Sequence, residues 1–232
     1  MVNREIAKLI CDKLNIDIAS EYIPTATYAV DCEDTFSSDL HALSKTASEE
    51  QLVILYQHMI YSWFFCCEPL SNFDWGWIKC EDGTLKSTPF KLIKPFTNMR
   101  SDTKYRYGIL QAQPDTLILA HTDMLYMKCL YKFYRAFGQV QDELIDEIMY
   151  KFGPEVIATN ACFSMLLTRV DMLESIFLDA SYKLPQVLAR ISDVDSDFYN
   201  NVKNADKGKI LQQYSNEDIL EVLDKVFEME EN

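Results

Sequence analysis

The chain has 232 residues and a formal net charge of −14, with 48% hydrophobic and 12% aromatic residues. That composition excludes a disordered chain, and folding at this length buries roughly 72% of the unfolded surface, so the core needs no covalent staples. The acidity opposes adhesion to nucleic-acid phosphates and anionic membranes.

Six glycines are few for this length, and no phosphate-cradling glycine loop occurs. The seven cysteines are an odd number, none of them in a Cys-x-x-Cys pair. Most lie in apolar runs, which predicts buried free thiols in a reducing compartment. The charged helical pattern of residues 1–9 is not that of a signal peptide. The longest apolar run, 52–67, is interrupted by Gln57, His58 and Ser62, so no membrane span is expected.

In chain order, residues 3–14 predict an amphipathic helix, with Ile6, Leu9, Ile10 and Leu14 at helical spacing. Residues 16–35 carry Pro24 and no period, so an extended loop is expected, and 36–44 a short helix. Ser48-x-x-Gln51 is a capping box opening a helix that ends near Cys67, before Pro69. Its stripe is Leu52, Leu55, Tyr56, Met59, Trp63 and Phe64.

Residues 70–121 change character. Phe73, Trp75 and Trp77 alternate as in a strand, and Glu81-Asp82-Gly83 signals a hairpin turn. Pro89 and Pro95 confine any strand over 85–96 to an edge, and 105–110 and 116–120 are further strand candidates. Residues 124–137 fit both periods; the alternation of Leu125, Met127, Cys129, Tyr131 and Phe133 tips the reading to strand. A helix follows over 142–152, stopped by Gly153-Pro154. A long core helix is expected over 155–180 and a short one over 185–191. Residues 192–209 are polar and acidic and read as a linker or surface loop. Ser215 caps a final helix to 229, lined by Ile219, Leu220, Val222, Leu223 and Val226.

The expected fold class is therefore α+β: a mainly α-helical bundle with a small inserted antiparallel β region. Its parts are N-terminal helices over 1–69, the β insert over 70–137, a helical core over 138–191, and an acidic linker and C-terminal helix over 192–232. Together they form one domain.

Catalytic and metal motifs fail one by one. His41, His58 and His121 are scattered, and a hydrogen-bonded structural histidine is the commoner outcome for each. Asp193, Asp195 and Asp197 have the start of a calcium loop, but Phe198 and Asn204 stand where its glycine and closing acid belong. Asp142, Glu143, Asp146 and Glu147 fall where acids favour a helix start. Cys66 and Cys67 lack a basic neighbour to lower a thiol pKa. His121, Asp123 and Asp115 are the best residues an enzyme reading has. No catalysis, cofactor or metal is expected.

One stretch opposes the overall charge. Lys79, Lys86, Lys91, Lys94, Arg100, Lys104 and Arg106 face three acids, Glu81, Asp82 and Asp102, within 79–106. Phe90, Phe96, Tyr105 and Tyr107 are interleaved with them, and Trp75 and Trp77 lie just before them. This is a candidate contact surface for an acidic partner, for nucleic acid, or for the acidic end of a second copy. It is also how a sheet with lysines on its solvent face reads.

The order of features resembles the ring-forming head-to-tail connector proteins of short-tailed phages, called tail tubular, adaptor or gatekeeper proteins. The residues that carry it are the helix over 50–65, Trp75-Gly76-Trp77-Ile78, and Tyr105-Arg106-Tyr107 followed by Gln113-Pro114-Asp115 and the aliphatic run 116–119. The helices over 142–180 would close it. The resemblance covers 36–190; the long N-terminal loop and the acidic segment after Ile191 depart from it. It implies a homo-oligomeric ring in the virion neck, made in the host cytoplasm, meeting a portal protein and further tail or neck proteins. DNA would pass through without specific binding. The alternative, from charge alone, is an acidic inhibitor, an immunity protein or DNA mimic blocking a basic surface.

Overall fold

A computed structural model describes residues 2–19, 47–65, 77–79, 85–87, 89, 90, 92, 95, 124–155, 185–204 and 207–228. Helix α1, Val2–Lys13, buries Ile6, Ala7, Ile10 and Cys11. It ends with Asn15 in the left-handed region, φ 53°. The Asn15 N–H donates to the Asp12 carbonyl at 3.3 Å, and the Ile16 N–H to the Cys11 carbonyl at 2.8 Å. This is a Schellman stop; asparagine tolerates the left-handed backbone, and Ile16 is buried beyond it. The chain then runs to Ile18, which bridges Phe90 in parallel; the Phe90 N–H donates to the Asp17 carbonyl at 2.8 Å.

Helix α2, Glu49–Phe64, opens at the expected box. The Ser48 N–H donates to Gln51 Oε1 at 2.8 Å and the Gln51 N–H to Ser48 Oγ at 3.3 Å. Leu55, Tyr56, Met59, Ile60 and Phe64 are buried along it. Strands β1, Trp77–Lys79, and β2, Leu85–Ser87, pair antiparallel, with Ile78 opposite Lys86. With the Ile18–Phe90 bridge, that is all the β structure among the described residues. They do not support the wider β region expected over 70–137.

Helix α3, Met124–Phe152, corrects the strand reading of 124–137 and runs through the division drawn at 137/138. The reason lies in its surroundings. Tyr126, Met127, Cys129, Leu130, Tyr131 and Phe133 are all buried, because α1 and α2 pack on one side and Tyr131 stacks on Phe227 of the C-terminal helix at 4.9 Å. A polar stripe does mark the helical period, with Lys128, Lys132, Arg135 and Gln139 at three- and four-residue spacing, but the alternation of Leu125, Met127, Cys129, Tyr131 and Phe133 overlies it. No β-branched residue occurs from Met124 to Gln139, as suits a helix. Gly153, φ 80°, ends α3, and its N–H donates to the Met149 carbonyl at 3.0 Å.

Within α3, a methyl group added at the exposed Gly138 meets nothing within 4 Å. Gly138→Ala is therefore expected to stabilise the protein by about 0.5–1 kcal/mol, read as a raised denaturation midpoint.

The polar segment after Ile191 is helical, not a linker. Helix α4, Pro185–Val194, is followed by α5, Ser196–Val202, and α6, Lys207–Gln213. Phe198 and Val202, one turn apart on α5, are buried, as is Ile210 of α6. Helix α7, Asn216–Glu228, buries Ile219, Val222, Leu223, Val226 and Phe227. The fold is thus a mainly helical bundle in which α3 packs on α1 and α2, and α4 on α5 and α7.

Ser215 caps α7 as expected: the Asp218 N–H donates to Ser215 Oγ at 3.1 Å, and the Ser215 N–H to Asp218 Oδ2 at 2.9 Å. The Ser215 hydroxyl and N–H hold the Asp218 pKa below its ordinary value. A lowered carboxylate pKa stabilises above the unfolded-state value, and the gain disappears as pH falls through the folded one. Acid titration is expected to lower the melting temperature less steeply for Asp218→Asn than for the unaltered chain.

The core helix expected over 155–180 beyond Glu155, the loop expected over 16–35 beyond Ala19, the short helix over 36–44 and the strands over 105–110 and 116–120 lie outside the described residues. No helix among the described residues is long and apolar enough to cross a membrane.

Candidate functional site

Of the nominated contact residues, Trp77 and Lys86 lie on the β1–β2 hairpin at adjacent register positions, Trp77 opposite Ser87 and Lys86 opposite Ile78. Trp75, Lys91, Lys94, Arg100, Lys104, Tyr105, Arg106 and Tyr107 lie outside the described residues, as do His41, Cys66, Cys67, Asp115, His121 and Asp123.

The described candidates for chemistry take structural roles. His58 is buried, with its ring edge-on to Phe90 at 5.5 Å and tilted to Tyr61 at 6.4 Å. Asp195 caps α5, its Oδ1 accepting from the Asp197 and Phe198 N–H groups at 3.1 and 2.9 Å. That explains Asp195 and Asp197 as a helix start, while Asp193 lies in the last turn of α4. Glu143 and Glu147 both take the Lys13 ammonium, at 2.7 and 3.1 Å, which ties α1 to α3 and raises the Lys13 pKa. Among the described residues no group of three His, Cys, Asp or Glu side chains is placed to hold a metal ion.

Two surfaces remain with the character of contact sites. The first is the second half of α3, where Asp142, Glu143 and Asp146 are exposed beside Tyr150, 93% exposed, and Met149. Tyrosine and methionine standing in solvent at an acidic edge are residue types that interfaces favour. The helix dipole does not explain the acids, since it favours them at a helix start and these lie toward the end of α3.

The second is a cleft of about 310 Å³ where α1, α2 and α3 meet. Its apolar walls are Leu14 and Ile16 after α1, Val53 and Ile60 of α2, and Leu125 and Phe133 of α3. Glu49, Gln57, Lys128 and Lys132 supply the polar lining, and Tyr61 and Cys129 complete it. The α3 contributors recur at three- and four-residue spacing, so one helix face forms a whole wall. Burial pushes the Tyr61 hydroxyl up to about 12, with the nearby Cys129 and Cys11 sulfurs adding to the shift. It is therefore a neutral hydrogen-bonding group and not a base.

Sequence reasoning missed this cleft because it read the third wall as a strand. The missing β-branched residues over 124–139 were the signal that would have put Lys128 and Lys132 on one face with Leu125, Cys129 and Phe133. No protein-family model, no curated protein and no solved structure matches the chain.

Proposed function

We propose that the chain is a virion structural protein: a ring-forming component of the neck, or head-to-tail connector, that acts by assembly and catalyses no reaction. The observation that carries this reading is the segregation of charge. Seven cations against three acids crowd 79–106, while the second half of α3 exposes Asp142 and Asp146, with Glu143 and Glu147 beside them holding Lys13. Two stretches of opposite charge on one chain favour head-to-tail contact between copies, which closes into a ring when the rotation allows. Tyr150 and Met149 supply apolar area beside the acidic member of the pair.

In this reading the β1–β2 hairpin belongs to the part of the chain that reaches the next ring, made of portal or further tail proteins. The net charge of −14 lets DNA phosphates slide through the bore by repulsion. The protein is then made in the host cytoplasm and resides in the virion neck.

Native mass spectrometry and negative-stain imaging of the full chain across a salt series test this. Closed rings that dissociate toward 1 M salt, where the screening length is about 3 Å, are expected. A chain that stays monomeric at every salt concentration and also ignores a cognate portal would rule the reading out.

The net charge favours one alternative, an acidic module that blocks a basic partner. It requires a stoichiometric complex with a basic protein that weakens steeply with salt, and no self-assembly.

A further inference from the structure

We propose that the cleft between α1, α2 and α3 binds a small uncharged amphiphile, a hydrocarbon body with one neutral head, such as a hydroxyl, that both donates and accepts a hydrogen bond. The cleft lies near the lower end of the about 300–1,000 Å³ typical of ligand sites, so its occupant is small. Leu14, Val53 and Leu125 are only half-buried on its walls, which leaves apolar surface for a hydrocarbon to cover.

Hydrogen bonding selects the head group. Gln57 and Tyr61 stand one turn apart on α2, both half-buried and both lining the cleft. Among the described residues neither side chain has a hydrogen-bond partner. The Tyr61 ring packs edge-on to Phe90 at 5.4 Å and against Phe133 at 5.6 Å, so its hydroxyl is held in place without being satisfied. An amide and a phenol each donate and accept, and the matching head does both. A few such groups on an apolar wall are how ligand sites fix orientation. Charge is selected against: burial keeps the Tyr61 hydroxyl neutral, and the same desolvation penalises a charged group placed beside it. The charged lining residues have explanations of their own. Lys128 and Lys132 have partners within the protein, and Glu49 is exposed in the first turn of α2, where the dipole favours a carboxylate. Ring formation does not depend on this site.

The test is calorimetric titration of the full chain with hexan-1-ol. Methyl pentyl ether, an isomer that cannot donate, and the charged probes hexanoate and hexylamine are titrated beside it. Hexan-1-ol is expected to bind saturably at one per chain, the ether about fivefold more weakly, and each ion at least about tenfold more weakly. Cys129 lines the cleft and is 7% exposed, so hexan-1-ol should also slow its alkylation, mapped by peptide mass spectrometry. Tyr61→Phe keeps the ring and deletes the hydroxyl; it should weaken hexan-1-ol about fivefold and leave the ether unchanged. No saturable binding of hexan-1-ol, or saturable binding that leaves Cys129 alkylation unchanged, overturns the proposal. So does an ether, carboxylate or amine that binds as tightly as the alcohol. Those readings use the unaltered chain, so they decide even if the variant does not fold. An equal loss of alcohol and ether in a folded Tyr61→Phe makes the hydroxyl structural and overturns the proposal too.

Discussion

Phe64→Ala is expected to destabilise the protein by about 3–5 kcal/mol, the range for deleting a buried aromatic ring. Phe64 is fully buried at the end of α2. Its ring centroid lies 4.9 Å from Phe133 and 5.1 Å from Phe137, both on α3, and 5.3 Å from Phe65. Edge-to-face packing of this kind adds to simple burial. Alanine would leave a void that three other rings line, and rings held by their own neighbours collapse poorly into such a space. In a chain of this length each kcal/mol lowers the melting temperature by about 2–4 °C, so a fall on the order of 10 °C is expected in calorimetry. The unfolding slope in urea should stay the same, since the surface exposed hardly changes. A loss below about 1 kcal/mol would mean that α2 and α3 do not meet through this ring.

That contact also shows what could be read ahead of the structure. Phe64 belongs to the α2 stripe expected from spacing alone, and Ser48-x-x-Gln51 marked the start of its helix, because caps and stripes are written in residues three and four apart. The same locality made Ser215 and Gly153-Pro154 legible as a helix start and a helix stop. The partner ring Phe133 falls within the strand reading of 124–137, since the alternating apolar residues from Leu125 to Phe133 outweigh the helical polar stripe of Lys128, Lys132 and Arg135. Residues 192–209 misled for the opposite reason. Their polarity hid the buried pair Phe198 and Val202, one turn apart, and an aspartate cap at Asp195. The cleft was beyond any local reading: its walls come from 14–16, 49–61 and 125–136, and only tertiary packing brings them together.

The second large effect is expected at Asp224, where one carboxylate joins the N-terminal half of α3 to α7. Asp224 Oδ1 accepts from the Tyr131 hydroxyl, and Oδ2 accepts from Arg135 Nη2 at 2.9 Å. The side chain is 26% exposed and that of Arg135 44%, so the two halves of the interaction have unequal weight. The ion pair is partly open to solvent and is worth at most about 1 kcal/mol. The Tyr131 hydroxyl sits on a ring that is 4% exposed and stacked on Phe227 at 4.9 Å; removing its ionised acceptor costs about 1.5–3 kcal/mol. Asp224→Ala is therefore expected to cost about 2–3 kcal/mol, and Arg135→Ala less than about 1 kcal/mol. Tyr131→Phe, which keeps the stack and deletes the hydroxyl, should fall between them. Since Tyr131→Phe and Asp224→Ala remove the same hydrogen bond, the double variant should be less destabilised than the sum of the singles by at least about 1 kcal/mol. Strict additivity in urea denaturation would show that the two side chains do not share a bond, and with it the docking of α7 on α3 through this carboxylate would fail.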